Sequence, residues 1–234
     1  MKRIKTFLEK DLNLSILVGL TTIVLVIAAA AFGSSMYSAR NIQSMAFQIP
    51  EFGFLALAMM LSNMIGGIDL SIIANANTVA IFTAYVLNGT WAFGTQGPVR
   101  IVLALLVALC TSLVFGILNG LIVAKTSAPS LVATLGTMTL IQGIGMAITG
   151  GASIGDIDPA FSGFGKAVFL GLPVIFWLFM VVALVLGLVL SLTEFGRKLY
   201  LYGGNPVAAR FSAFHNEKMS MILFMLTGVL AGVA

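Results

Sequence analysis

Charge is what this sequence has least of: Asp, Glu, Lys and Arg make up only 9% of its 234 residues, against about 25% in soluble domains. That shortage excludes a water-solvated surface for most of the chain. The single cysteine, Cys110, leaves no intrachain disulfide and no cysteine metal cluster to be built, and in its apolar run it reads as a small packing residue. The single histidine, His215, stands apart from any metal-ligand cluster or nucleophile–base spacing, so a membrane-embedded enzyme has no visible chemistry to work with. No G-x-x-x-x-G-K-[ST] phosphate loop occurs: the Gly165–Lys166 pair is followed by Ala167 and lacks the earlier glycine. Energy for any uphill process must come from elsewhere. The pI of about 9.4 does not imply nucleic acid, because the basic residues are scattered and form no patch interleaved with aromatics.

What is present is apolar side chain, 59% of the total. A hydrocarbon core about 30 Å thick needs about 20 consecutive apolar residues per helix. Stretches of this kind recur near residues 14–33, 44–65, 71–88, 101–124, 129–149 and 167–192, and a last one opens near Met219. The fold class expected is an all-α polytopic membrane protein of about seven spans, residues 1–234 forming one integrated helical bundle. The opening MKRIKTFLEKDLN followed by Leu14 to Phe32 has the order of a signal peptide. Its apolar run exceeds the roughly 7–15 residues of an h-region, so it reads as a retained first helix. The last run has about 16 apolar residues before Ala234, short for a span, and the expectation is that further C-terminal helices belong to the fold.

Orientation follows from Lys and Arg, which accumulate on cytoplasmic loops. With the N-terminus inside, Lys2, Arg3, Lys5, Lys10, Lys125, Arg197, Lys198, Arg210 and Lys218 are cytoplasmic, and Arg40, Arg100 and Lys166 are outside. This arrangement also places the acidic segment with Asp156 and Asp158 outside, and the segment 193–218 in the cytoplasm, within reach of a soluble partner.

Polar groups inside apolar runs are costly, and each is a candidate for function. Glu51 follows Pro50, whose missing N–H loosens the backbone; it is either a pathway acid or an interfacial one reaching the headgroups. Asp69 lies in NMIGGIDLSII, where Gly66 and Gly67 permit a reversal or a broken helix. Asp69 with Ser71 reads as a cap for the next helix, as a pathway group at a discontinuous helix, or as both. Asn75, Asn119, Thr134 and Thr137 punctuate the following spans, as interhelical hydrogen-bond partners or as uncharged ligands that a neutral sugar-like solute would tolerate. We take Asp69, Ser71, Asn75, Asn119 and Thr137 as the candidate pathway set. Gly116 and Gly120 give a GxxxG spacing suited to close helix approach.

In the 193–218 segment, Gly203 and Gly204 are expected to break the chain, with Asn205 capping and Pro206 opening a short helix to about Phe214. Val207, Phe211 and Phe214 fall on one face of that helix with Arg210 beside them. Such a helix fits a groove on a soluble partner or lies on the lipid surface.

Three stretches together, GGIDLS at 66–71, FGILNGLIVAKTSAPSLVATLGTMTLIQGI at 115–144 and FGRKLYLYGGNPVAARFSAF at 195–214, resemble in order and spacing the ribose-type permease family of bacterial ATP-binding-cassette importers. One departure is Ile72–Ile73 after GGIDLS, where family members commonly have Val and Gly. The resemblance implies an ATP-binding-cassette importer permease bundle in the bacterial cytoplasmic membrane. The solute is a monosaccharide or the autoinducer-2 signal, and transport is by alternating access. Implied partners are a cytosolic ATPase that holds ATP and Mg, an extracytoplasmic sugar-binding protein, and a second permease subunit, identical or related. It also implies that the segment containing Gly204, Asn205, Arg210, Phe211 and Phe214 is the coupling helix on the ATPase, and that helices follow Ala234. The alternative is an ATP-independent secondary transporter or channel for a small polar solute, for which buried charge pairs or proton-relay carboxylates are expected, with Glu51 and Asp69 as the candidates.

Overall fold

A computed structural model describes residues 12–33, 37–126, 128–204 and 216–234. Among them are nine helices and one short hairpin: α1 (Leu12–Phe32), α2 (Ala39–Met64), α3 (Ile72–Leu87), α4 (Gly97–Lys125), α5 (Ser130–Thr149), α6 (Pro159–Gly165), β1 (Val168–Phe169), β2 (Leu172–Pro173), α7 (Val174–Leu192), α8 (Glu194–Gly204) and α9 (Asn216–Val233). The chain divides at Ala46/Phe47 into two units, 1–46 and 47–234. The first contains α1, which is apolar around its whole circumference; the packing that follows concerns the second.

Five helices, α1, α2, α4, α5 and α7, are long and apolar enough to cross a membrane. The 29 residues of α4 reach about 43 Å at about 1.5 Å each, beyond the hydrocarbon thickness. On α7, Leu178, Val181, Leu184 and Leu188 are all exposed, an outer surface that only lipid solvates without penalty. The expected run at 71–88 is a helix of only 16 residues, and the last span is the 18-residue α9. Of the seven runs expected, five are thus helices long and apolar enough to cross, and the other two are the shorter α3 and α9.

Three expectations shift. The run at 167–192 opens with the hairpin, Val168 opposite Pro173, and becomes helical only at Val174. Asp158, expected merely in an outer loop, accepts the Ala160 N–H at 2.9 Å and caps α6. The third concerns the segment 193–218, whose first part is helical through Gly203 and Gly204 rather than broken there. A Cβ on Gly203 would collide with the Met64 carbonyl oxygen, so this glycine serves close packing against the end of α2.

The main core joins α2, α3, α7, α8 and α9 through Phe54, Leu61, Ile72, Leu190, Leu199 and Leu223. A second contact runs between α4 and α9 along a seam of glycines. A Cβ on Gly116 would lie 2.6 Å from the Phe224 carbonyl oxygen, and one on Gly228 would lie 2.6 Å from that of Ser112. The GxxxG of α4 therefore meets a second, Gly228 with Gly232, on α9. Where lipid removes the hydrophobic drive for association, such backbone-close packing supplies it through dispersion.

Candidate functional site at the break between α2 and α3

Between α2 and α3 the chain is non-helical from Ile65 to Ser71. Gly66 turns it with φ +70°, a conformation costly for other residues. Non-helical backbone inside a membrane bundle must find partners within the protein. Here α5 provides them. Ile68 N–H donates to Ser130 Oγ at 3.1 Å, and Leu70 N–H to Thr134 Oγ1 at 3.1 Å. The Thr134 hydroxyl in turn lies 3.0 Å from the Ile68 carbonyl and 2.8 Å from that of Ser130, either of which can take its proton.

The break delivers Asp69 into the interior, where it is only 2% exposed. Its Oδ1 accepts from Ser71 N–H at 3.0 Å and Ser71 O–H at 2.7 Å. Its Oδ2 accepts from Thr227 O–H of α9 at 3.3 Å, a proton for which the Phe224 carbonyl at 2.9 Å competes. Asn119 of α4 donates its amide to Ser71 Oγ. Asn75, one turn beyond Ser71, donates to the Gly228 carbonyl at 3.3 Å. The carboxylate thus bonds Ser71 of the break and Thr227 of α9 directly, with Asn119 of α4 joined to it through Ser71 and Asn75 of α3 tied to Gly228 next to Thr227.

Four of the five pathway candidates, Asp69, Ser71, Asn75 and Asn119, are brought together here. Thr137 is buried but donates to Thr134 O of its own helix at 3.1 Å, with no hydrogen bond to the other four. The capping expectation divides: Asp69 satisfies the Ser71 N–H, whereas the Ser71 hydroxyl turns to Asp69 and makes no side-chain cap on α3. Thr227 and the Gly228 carbonyl were not singled out from the sequence. Their only signal was a hydroxyl beside a second GxxxG in the last apolar run. Glu51 is exposed on α2, beside Pro50 within the helix.

Beneath the break is a cleft of about 200 Å³ lined by Gly66, Gly67, Ser130, Tyr202, Glu217 and Ser220. Tyr202 Oη and Ser220 Oγ, 3.3 Å apart, join α8 to α9 across it. Gly204 closes α8; Asn205, Arg210, Phe211 and Phe214 lie outside the described residues.

Apolar helices of spanning length around a broken, internally hydrogen-bonded segment define a multi-pass membrane protein with a discontinuous helix. The chain belongs to the family described as branched-chain amino acid transport system / permease component, which matches residues 41–234. It is similar to the L-arabinose transport system permease protein AraH of Escherichia coli K12, 29% identical over 214 residues, covering 90% of this chain and 62% of that protein. It is also similar to the ribose import permease protein RbsC of Haemophilus influenzae Rd, 30% identical, covering 91% and 64%. The autoinducer 2 import system permease protein LsrD of Yersinia enterocolitica is 33% identical, with 90% and 64% covered. The chain thus spans less than two thirds of the length of these relatives. No solved structure matches it.

Proposed function

We propose that this chain is the membrane-spanning permease subunit of an ATP-binding-cassette importer, moving a monosaccharide or similar small polar solute by alternating access. The observation that carries the reading is the family match over residues 41–234 together with relatives named as arabinose, ribose and autoinducer 2 permeases. The family description names branched-chain amino acids, but the named relatives carry sugar-type solutes.

In this reading ATP and Mg bind a separate cytosolic ATPase, which docks on the segment between α8 and α9. An extracytoplasmic binding protein delivers solute, and a second permease subunit completes the pathway. The protein sits in the bacterial cytoplasmic membrane with its N-terminus inside. The contacts of α8 and α9 around the cleft favour a docking role for that segment. Both flanks of the segment reach the break, through Gly203 against Met64 and through Thr227 at Asp69.

One observation favours the alternative of an ATP-independent transporter: Asp69 is a buried acid, as ion-coupled carriers require. Reconstituted uptake separates the two. With the ATPase and binding protein present, uptake is expected to need ATP hydrolysis. Phe211→Ala or Arg210→Ala is expected to lower the solute imported per ATP while leaving membrane insertion intact. Solute uptake by vesicles holding the wild-type chain without any ATPase would sink the importer reading.

A further inference from the structure

The break holds a buried carboxylate with no positive partner. Among the described residues no basic side chain pairs with Asp69; the ion pair found there is Lys198–Glu194 on α8. Ser71 N–H, Ser71 O–H and Thr227 O–H supply partial charge only, and an uncompensated carboxylate out of water is strongly penalised.

A second, independent observation lies beside it. Asn75 and Asn119 are each 2% exposed, and the Oδ1 of each has no hydrogen-bond partner. Buried polar atoms are almost always paired, so two orphans on side chains tied to the groups around Asp69 call for a ligand. Asn119 is anchored by its amide nitrogen on Ser71 Oγ, so its oxygen, on the same carbon, is held beside the cluster. Asn75 stands one turn along α3 from Ser71, on the same face. Its amide nitrogen is fixed on Gly228 O, next to Thr227.

The donor set is one carboxylate, two amide oxygens and two hydroxyls, with no nitrogen or sulfur ligand. That set is hard and oxygen-only, which rules against transition metals and suits an alkali or alkaline-earth ion. A single carboxylate balances a single positive charge. The position, at the unwound end of a discontinuous helix, is one where a small cation gains from both side chains and backbone carbonyls.

We propose that Asp69, Ser71, Asn75, Asn119 and Thr227 form a buried binding site for a small monovalent cation of the sodium class. The ion would neutralise Asp69, occupy both orphaned amide oxygens and tie the break to α4 and α9. The site is independent of the importer reading, since a cation that holds the break in place requires no coupling to solute flux.

The test is thermal unfolding of the full chain in detergent, in sodium chloride and in N-methyl-D-glucamine chloride at matched ionic strength. Sodium is expected to raise Tm in a saturable way, by about 3 °C or more at high occupancy. Asp69→Asn is expected to abolish that response and Asn119→Leu to weaken it. Equal Tm in the two salts for the wild type, or an undiminished sodium response in Asp69→Asn, overturns the proposal. Should Asp69→Asn fail to fold, equilibrium binding of radioactive sodium to the wild-type chain decides: saturable binding supports the site and its absence overturns it.

Discussion

At the residue scale, a few small or hydroxylated side chains decide whether the helices can meet. Gly116 has backbone of α9 where a side chain would stand, whereas Gly143 on α5 has nothing within 4 Å. Gly116→Val is therefore expected to lower stability by about 1–3 kcal/mol or more through overpacking, and Gly143→Ala to be neutral; melting temperatures in detergent compare the pair. Thr134 bears on the break in the same direct way. Thr134→Val strands the Leu70 N–H in the interior, a loss of about 1–3 kcal/mol. Faster hydrogen exchange at Ile68 and Leu70 would report it, and Thr134→Ser, which keeps the hydroxyl, is expected to restore protection. These roles were unevenly visible in the sequence. Asp69, Ser71, Asn75 and Asn119 stood out because each interrupts an apolar run. Thr227 did not, because a threonine in a membrane helix normally satisfies itself on its own backbone, and only the fold brings it to Asp69.

At the scale of elements, hydropathy reads spans well and reads their interruptions poorly. The long helices follow from length and apolarity alone, and the break at 65–71 follows from a glycine pair beside an acid. The same glycine logic misled at Gly203–Gly204. Local propensity disfavours glycine in a helix by about 1 kcal/mol, but the approach of α8 to Met64 leaves no room for a side chain at Gly203. Propensity and contact thus point opposite ways, and only the contact required the fold. Gly203→Ala is accordingly expected to push α8 off α2 and to expose its length to limited proteolysis from the side where it lies. Wild-type cleavage kinetics for this variant would count against the packing role. The hairpin ahead of α7 escaped notice because two-residue strands carry no periodic signal, and α6 because its seven residues are too few to show one.

For the whole molecule, the excess of Lys and Arg on one set of loops sets the expected orientation. On a Cys110→Ala background, a cysteine at position 198 is expected to react with a membrane-impermeant thiol reagent only in inside-out vesicles. One at position 166 is expected to react only in right-side-out cells. The reverse pattern would invert the topology and remove the α8–α9 segment from the reach of a cytosolic ATPase.

The glycine seam also has a consequence in time. About ninety residues separate the end of α4 at Lys125 from the start of α9 at Asn216. At a synthesis rate of about 5–20 residues per second, α4 waits roughly 5–18 s in the bilayer before its partner is made. Throughout that interval the bare groove at Gly116 and Gly120 is covered only by lipid, or by whatever other helix arrives first. The stage of biogenesis most open to mispairing is therefore the interval before α9 exists, and a chaperone or insertase that shields α4 would act there.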